Sequence, residues 1–455
     1  MLATLGCGDA EVRPQWVLEV DTDAPLTGQL VSEPLLPGPE IPAVAAIDTV
    51  VIEILGSAGD VIDQRETVAV DERDWPLSFG IVPREEGTRI RIRAFRGQSA
   101  VPDSEGQLAP PPRLTIDRLV VLDPATEKET LRVTLALGCM GRPPSFVSPE
   151  RTCVDEDRPD ELATAGLIAS SAGSATRAGT APWLAEEGCV GEPPPGTVCI
   201  PGGFDVLGDA SLRGFEDILV VDAAPPLPVR ISAVFMDRYE VSQGEVRGLY
   251  QAGLVTAAEP FDRDPNDPDQ VYCNWLGVDD PSRDEHPANC LGVTTAEAIC
   301  AAKGGRLPTE AEWEHAARGR GRGHARPWGD ADPTCCASKA AFPFCVGLAG
   351  TSPVDAHEAP VGCELADVTR DGVVGMAGNV GEVTQDAADR YDGDCWQYLG
   401  VPRDPVCGLA DLARITRGGD WANSLSLTHA AFRVRYLPSG AGGVRCVYDA
   451  TEGTR

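Results

Sequence analysis

The chain has 455 residues, enough for two or three domains, and its 39 prolines and 49 glycines predict many turns and loops and little helix. Its 70 acidic and 38 basic residues give a formal net charge of −32 at pH 7. This charge argues against nucleic acid and anionic membrane surfaces as partners, because their phosphate groups would be repelled.

Residues 1–14 resemble the end of a bacterial lipoprotein signal. The segment "MLATLGCGD" is a short apolar run ending in Leu-Gly-Cys, and in such signals the cysteine, here Cys7, becomes the lipid-bearing first residue. The run is shorter than a complete signal, so either the start is truncated or the match is chance. We expect an exported protein of the periplasm or cell surface, lipid-anchored at Cys7.

Residues 15–138 alternate between apolar and polar positions in several short runs. Examples are "TVVIEIL" (49–55), "RIRIRAF" (89–95), "RLTIDRLVVL" (113–122) and "ETLRVTLAL" (129–137). In the second run Ile90, Ile92 and Ala94 share one face, and arginines occupy the other. One buried and one wet face predict antiparallel sheets packed as an all-β sandwich. No catalytic spacing occurs here, so a plain sandwich is favoured over a binding module.

Residues 139–194 change in character. Cys139 and Cys153 bracket a short loop, and the Ala- and Ser-rich segment that follows fits either a flexible linker or a loosely packed segment. Without Cys7 the chain has 14 cysteines, an even number that predicts complete pairing in an oxidising compartment. Further expected pairs are Cys273–Cys290 and, on weaker grounds, Cys395–Cys407. Cys335 and Cys336 are adjacent and are not expected to bond to each other, because the geometry is strained.

From residue 195 onward the elements are distinct. Residues 199–209, "CIPGGFDVLGD", predict a strand broken by Pro-Gly-Gly, and residues 234–250 predict a strand followed by a helix that Ser242 and Glu245 cap. Residues 294–305 predict a short helix ended by two glycines. In "RLPTEAEWEHAARG" (306–319), Thr309 is the expected N-cap of a helix and Glu312 the residue that completes its capping box.

Eight phrases in this part carry a resemblance to a known family. They are "IPGGFDVLG", "DRYEVS", "GGRLPTEAEWEHAARG", "PWG", "PVDA", "GMAGNVGE", "RITRGGDW" and "GVRCV". In this order and at about this spacing, they resemble the formylglycine-generating enzyme, or sulfatase-modifying factor, domain over residues 195–448. The resemblance implies an α+β, loop-rich domain, residues 195–455, with a C-type-lectin-like core, preceded by the sandwich.

The resemblance also implies a reaction, the oxidation of a sulfatase cysteine to formylglycine by copper(I) held between two thiolates. The two thiolate positions fall on Asn423 and Thr428, and Asp420 replaces the usual serine. Amide and hydroxyl groups cannot replace soft thiolates as Cu(I) ligands, so copper is not expected. The same resemblance pairs Cys300 with Cys446 in a disulfide, which leaves no thiol there.

Other metals have weaker support in the sequence. The histidines at 286, 315, 324, 357 and 429 show no metal-ligand spacing, and His315 is expected to pack half-buried on its helix. The resemblance implies calcium bound by the carbonyls of Gly378 and Val380 and the carboxylate of Glu382. Gly375 stands where a ligand side chain normally contributes, and Asp371 is a possible substitute. The alternative is that the turn only bonds to neighbouring loops.

Residues 417–436 provide the candidate binding site. The arginines of this part either pair with buried carboxylates and hold loops together, or line a groove for a peptide or glycan. The candidate groove residues are Arg417, Asp420, Trp421, Asn423, Thr428, His429 and Arg433. We therefore expect a non-catalytic binding or scaffold module at the cell envelope, with a divergent oxidoreductase acting on a protein cysteine as the alternative and a purely structural envelope protein as the third hypothesis.

Overall fold

The fold is mixed, with more strands than helices. The structure is a computed structural model, and it describes residues 15–26, 45–56, 58–69, 72–82, 87–102, 108–122, 128–164, 181–216, 220–256, 273–335, 337–338, 350–409, 413–422, 425–436 and 442–450. These residues form two compact units, which divide in the sequence between Pro182 and Trp183. Cys7, the predicted site of the lipid anchor, lies outside the described residues.

The first unit is built from strands and short 3-10 turns in the part that is described. Its strands are β1 (Gln15–Thr22), β2 (Thr49–Leu55), β3 (Val61–Val68), β4 (Leu77–Ile81), β5 (Thr88–Phe95), β6 (Val101–Pro102), β7 (Leu108–Ala109), β8 (Thr115–Leu122), β9 (Lys128–Leu135), β10 (Arg151–Thr152) and β11 (Glu161–Leu162). One sheet has the order β4-β1-β9, with β1 and β9 parallel, and a second has the order β3-β2-β5-β8, antiparallel throughout.

Strand β5 alternates between apolar and polar residues, as its sequence predicts, but its arginines do not simply face the solvent. Ile90, Ile92 and Ala94 are buried, while the arginines between them are half-buried and paired with carboxylates. The ion pairs are Arg89–Glu150 at 2.6 Å, Arg91–Asp117 at 2.5 Å and Arg93–Glu53 at 2.6 Å. Two of these pairs, Arg91–Asp117 and Arg93–Glu53, join neighbouring strands of the sheet and add to the stability of the strand pairing, whereas Glu150 belongs to the loop before β10.

Residues 139–164, assigned from the sequence to a loop and linker, are attached to β8. Thr152 Oγ1 accepts a hydrogen bond from the Leu119 backbone at 3.0 Å, and Val121 donates to the Ala163 carbonyl at 2.6 Å. The Cys139–Cys153 disulfide closes the loop, and the buried Arg118 side chain donates to the Cys153 carbonyl. This segment consequently belongs to the first unit.

The second unit combines short sheets with the helices. Its strands are β12 (Thr197–Ile200), β13 (Gly203–Leu207), β14 (Val220–Val221), β15 (Leu227–Ile231), β16 (Val234–Asp237), β17 (Gly381–Ala387), β18 (Arg414–Arg417), β19 (Arg433–Arg435), β20 (Gly442–Gly443) and β21 (Val447–Asp449). The helices are α1 (Ala181–Leu184), where the units divide in the sequence, α2 (Gln243–Gln251), α3 (Val293–Ala302) and α4 (Glu310–Ala317). The largest sheet has the order β14-β19-β18-β17-β20.

Local sequence signals explain the helix starts. Ser242 and Glu245 form the capping box of α2, and Thr309 and Glu312 form that of α4, so both predicted caps are confirmed. Helix α4 is buried along its whole length, and Trp313 packs with Met376 and Val447 in one of the cores. Of the helices in the described ranges, none combines the length and the hydropathy that a membrane span needs.

Disulfides tie the described loops together. Among the described residues the structure contains Cys139–Cys153, Cys189–Cys199, Cys273–Cys290, Cys300–Cys446 and Cys395–Cys407. Four of these are pairs that the sequence analysis names, and the pair Cys189–Cys199 is one that it does not. So many disulfides are typical of proteins that fold in an oxidising compartment.

Candidate functional site

The segment from 417 onward begins at the end of strand β18, where two glycines turn the backbone. Gly418 has φ +88° and Gly419 has φ +70°, a conformation that favours glycine. A Cβ on Gly418 would lie 2.9 Å from the Met376 carbonyl oxygen, and one on Gly419 would lie 2.9 Å from that of Leu427. The glycine pair therefore allows the turn to pack directly against two other backbones.

Beneath this turn, arginines are buried against helix α4. Arg433 donates from Nε to Glu310 Oε2 and from Nη2 to Glu310 Oε1, both at 2.7 Å. Arg417 donates to Glu310 Oε2 at 3.2 Å and also to the Glu314 carboxylate. Two carboxylates one helical turn apart thus hold both guanidinium groups. The hypothesis that these arginines pair with buried carboxylates is confirmed.

The same helix packs on a second ion pair. Arg445 donates to Glu382 Oε1 from Nε at 2.9 Å, and the Trp313 indole N–H donates to Glu382 Oε2. Both carboxylate oxygens of the expected calcium ligand are therefore held by protein donors, one of them cationic. Asp371 is likewise paired, with Arg320 Nε at 2.9 Å. Calcium binding stays a prediction, and a bound ion would share the Glu382 carboxylate with Arg445 and Trp313.

The burial of several groove residues corrects the expected site. The side chains of Arg417 and Arg433 are 0% exposed, and Thr428 is also fully buried. The prediction that these three line an open groove is wrong, because the arginines are turned inward by the carboxylates of α4. Asp420 and Trp421 are partly exposed, and Asp420 Oδ1 accepts from the Ala422 backbone at 2.8 Å. Asn423 lies outside the described residues.

His429 stays at the surface of the segment, with 15% of its side chain exposed. Its Nδ1 accepts a hydrogen bond from the Ala431 backbone N–H at 3.1 Å, so the neutral ring carries its proton on Nε2. That nitrogen lies 3.8 Å from Asp209 Oδ2, too far for a direct hydrogen bond. Burial, followed by the charge of Arg318, lowers the pKa of His429 to about 4. The contact is therefore between a neutral imidazole and a carboxylate.

Asp209 reaches this position from a different part of the second unit. It caps the 3-10 turn Ala210–Leu212, with Oδ1 accepting from the backbone and hydroxyl of Ser211 at 2.9 and 2.7 Å. Burial alone would raise the pKa of Asp209, but these hydrogen bonds and the charge of Arg318 lower it. At neutral pH the carboxylate is ionised beside a neutral N–H donor.

His315 is not at the surface. Its side chain is buried, not half-buried as expected, and Nδ1 lies 2.7 Å from Asp205 Oδ2 while Nε2 lies 3.0 Å from the Pro201 carbonyl oxygen. Although burial opposes it, the His315 contact lowers the pKa of Asp205. With both ring nitrogens facing acceptors, this histidine links α4 to strand β13 and is not available as a metal ligand.

The residues present do not fit a copper(I) site. Thr428 offers a hydroxyl at one of the two thiolate positions, and every cysteine in the part of the chain that the structure describes is disulfide-bonded. Within those same residues, one group of three metal-ligating side chains lies close together: Asp389, Cys395 and Cys407. Its two cysteines form a disulfide, so it has no thiolate to offer.

Sequence reasoning missed the partners of the site. Glu310 and Glu314 could be recognised as helix formers but not as acceptors for arginines more than 100 positions away. Asp209 carries the local signature of a cap, and Phe215 follows it on the same loop. No pattern in the sequence relates either residue to His429, because only the fold brings the two segments together.

Comparisons with known proteins cover the second unit. Residues 184–450 match the model of the sulfatase-modifying factor enzyme 1-like domain. A formylglycine-generating enzyme of Thermomonospora curvata is 32% identical over 281 residues, 53% of this chain and 86% of that protein. A hercynine oxygenase of Mycolicibacterium thermoresistibile is 32% identical over 196 residues, and the match covers 41% of each chain. Among solved structures, Treponema denticola variable protein 1 matches with a TM-score of 0.37 and 18% identity, over 56% of this chain and 94% of that chain.

Proposed function

The chain belongs to the family of the sulfatase-modifying factor enzyme 1-like domain, and from this premise we propose that it is a non-catalytic binding module of the family. We place it at the bacterial cell envelope, exported and lipid-anchored at Cys7. The observation that carries the proposal is the absence of a thiol pair at the metal position: the described cysteines are all in disulfides, and Thr428 is a buried hydroxyl.

The chemistry of the segment supports binding rather than oxidation. Cu(I) prefers soft sulfur ligands, and neither an amide nor a hydroxyl is an adequate substitute. The ion pairs of Arg417 and Arg433 with Glu310 hold the backbone of this segment against helix α4. What stays at its surface is a small set of polar and aromatic side chains, which suits recognition of a peptide or glycan.

The rest of the chain fits an exported protein of two units. The two main sheets of the first unit fit a β-sandwich that acts as a spacer, and the short sheets of the second unit fit a C-type-lectin-like core. The number of disulfides supports export to an oxidising compartment. Mass spectrometry of the mature amino terminus, with a Cys7→Ser variant as the control, tests the lipid anchor.

A second candidate is a divergent formylglycine-generating-type oxidoreductase acting on a protein cysteine. The similarity to an enzyme of that name favours it. On this hypothesis an unrecognised metal site would replace the missing thiolates. The family alone does not decide between the two, because one fold can host both a reaction and simple binding.

Copper titration and oxygen uptake separate these candidates. The purified full chain is titrated anaerobically with Cu(I) in competition with a chromogenic chelator, and oxygen uptake is then followed with a cysteine-containing sulfatase peptide. We expect no stoichiometric copper and no uptake. The matched positive control is the Asn423→Cys, Thr428→Cys double variant, reduced before titration, which should bind one Cu(I). Stoichiometric copper and peptide oxidation by the unmodified protein would overturn the proposal.

A further inference from the structure

Two loops of the second unit meet at the surface beside residue 429. The first loop supplies Asp209 and Phe215, and the second supplies His429 and Phe432. We refer to these four residues as the His429 patch. Its polar half is the pair Asp209 and His429, and its aromatic half is the pair Phe215 and Phe432.

The polar half has a gap too wide for a direct hydrogen bond and narrow enough for one bridging oxygen atom. His429 Nε2 and Asp209 Oδ2 lie 3.8 Å apart, so an oxygen about 2.8 Å from each would bridge them from one side of the line that joins them. The nitrogen is a donor, since Nδ1 already accepts from the Ala431 backbone. Asp209 Oδ2 accepts from Arg318 Nη2 at 3.2 Å and, as a carboxylate oxygen, can accept from a second donor as well. A group that both donates and accepts through one atom satisfies the pair. A hydroxyl does this.

The aromatic half lies next to the gap. The Phe432 ring is in edge-to-face contact with the His429 ring and with the Phe215 ring, with centroids 6.1 Å apart in both cases. Phe432 is buried, whereas Phe215 is 58% exposed. The exposed ring offers a flat apolar surface whose electron-rich face attracts the C–H groups of a ligand.

We propose that the His429 patch binds a neutral saccharide, with one hydroxyl between His429 and Asp209 and the ring face of the sugar on Phe215. The inference rests on the proposed binding function and names its ligand class. Lowered pKa values keep His429 neutral and Asp209 ionised across the neutral range, so the donor and the acceptor are both present where the protein would work.

The chemistry of the two halves favours a saccharide. A backbone peptide group points its N–H and C=O in opposite directions, so among the groups of a peptide only a side-chain hydroxyl could fill the gap, whereas every hydroxyl of a sugar can do so. The net charge of −32 disfavours the long-range approach of acidic glycans, although the charges of Arg318 and Arg326 act on His429 itself. A neutral sugar avoids that repulsion and supplies many hydroxyls beside an apolar ring face.

Saturation-transfer NMR on the full chain tests the inference with maltotetraose, cellotetraose and chitotetraose, and with a pool of random heptapeptides as the competing class. Phe215→Ala removes the exposed ring. His429→Phe keeps a ring against Phe432 but removes the donor. Phe146→Ala truncates a comparably exposed aromatic of the first unit and is the matched control. Melting temperatures establish that each variant is folded.

We expect at least one of the three saccharides to bind, with affinity about tenfold weaker in Phe215→Ala and in His429→Phe and unchanged in Phe146→Ala. If His429→Phe fails to fold, Phe215→Ala alone decides. The inference falls if none of the saccharides binds, if binding survives both substitutions, or if only the peptides bind through these residues. If no saccharide binds but the protein also shows no copper-dependent oxidation, the proposed binding function still stands and only its saccharide ligand is wrong. Oxidation of the sulfatase peptide would instead overturn the proposed binding function itself.

Discussion

Glu310 accepts hydrogen bonds from two fully buried arginines, and each of those arginines has further acceptors on the backbone. Arg433 also donates to the Asp389 carbonyl at 2.8 Å and lies 3.9 Å from the centre of the Tyr391 ring. Arg417 donates to the Ala430 carbonyl at 2.9 Å. A planar guanidinium with five donors can serve all these acceptors at once, which a lysine ammonium cannot.

We therefore expect Arg433→Lys to be destabilising despite conserving the charge. Loss of the bidentate contact leaves one oxygen of Glu310 without its donor in a buried site, at a cost of about 1–3 kcal/mol. The exposed Arg403, which pairs with Glu187 at 3.0 Å, is the matched control, and Arg403→Lys should cost about 1 kcal/mol or less. Denaturant unfolding followed by tryptophan fluorescence measures both variants. Equal losses would contradict the importance of the bidentate geometry.

Gly418→Ala tests the close approach of backbones at the site. Its positive φ costs an L-residue about 1–2 kcal/mol, and the added Cβ would also lie 2.9 Å from the Met376 carbonyl oxygen. Gly304 has a similar φ of +83° but has no atom within 4 Å of its Cβ position, so Gly304→Ala isolates the backbone term. We expect a clearly larger fall in melting temperature for Gly418→Ala. If the two falls agree, the contact with Met376 is unimportant.

At the scale of elements, helix α4 could be predicted closely because its signals are local. Thr309, Glu312 and the glycine after the helix are all within one short stretch, and the structure places the helix at Glu310–Ala317. The sheets could not be predicted in the same way. Val220 of β14 pairs with Val434 of β19, and periodicity within either strand does not identify its partner. For the same reason, the contact between Asp209 and His429 could not be predicted from the sequence.

The cap of α4 can be tested by removing one hydroxyl. Thr309→Val keeps the shape of the side chain but loses the acceptor for the Glu312 backbone N–H, which lies 3.1 Å from Oγ1. We expect a loss of about 1–2 kcal/mol in the free energy of unfolding. Thr294→Val makes the same change at an exposed position of α3 and should be nearly neutral. If Thr309→Val does not change the free energy of unfolding, the buried packing of α4 is enough to stabilise the helix without its cap.

For the whole molecule, the disulfides differ in how much chain they constrain. Cys300–Cys446 closes a separation of 146 residues, whereas Cys189–Cys199 closes one of 10. Loop entropy predicts a stabilisation of about 5 kcal/mol for the first and about 2.7 kcal/mol for the second. We expect replacement of both cysteines by alanine to lower the melting temperature more for the long loop. The reverse order would mean that packing around the sulfurs outweighs chain entropy.

Two buried acids make a contribution to the stability of the whole molecule that falls as the pH rises through about 7. Burial raises the pKa of Asp367 to about 7, because it outweighs the hydrogen bond from the Ala377 backbone. Burial and the repulsion from Glu310 together raise the pKa of Asp386 to about 7. A carboxyl with a raised pKa stabilises the fold fully below its unfolded value, about 3.9, and this contribution is lost as the pH rises through about 7. Self-repulsion of an acidic chain acts in the same direction.

Asp367→Asn separates the local effect from the general one. The amide resembles the neutral acid, and its oxygen can still accept from the Ala377 backbone, which donates to Asp367 Oδ2 at 2.7 Å. The variant should melt close to the unmodified protein at about pH 5 and above it at about pH 8, since it has no proton to lose between these values. Asp279→Asn, at an exposed position, removes the same charge and should leave the slope unchanged. If both variants flatten the dependence equally, the total charge of the surface, and not the burial of Asp367, sets the response to pH.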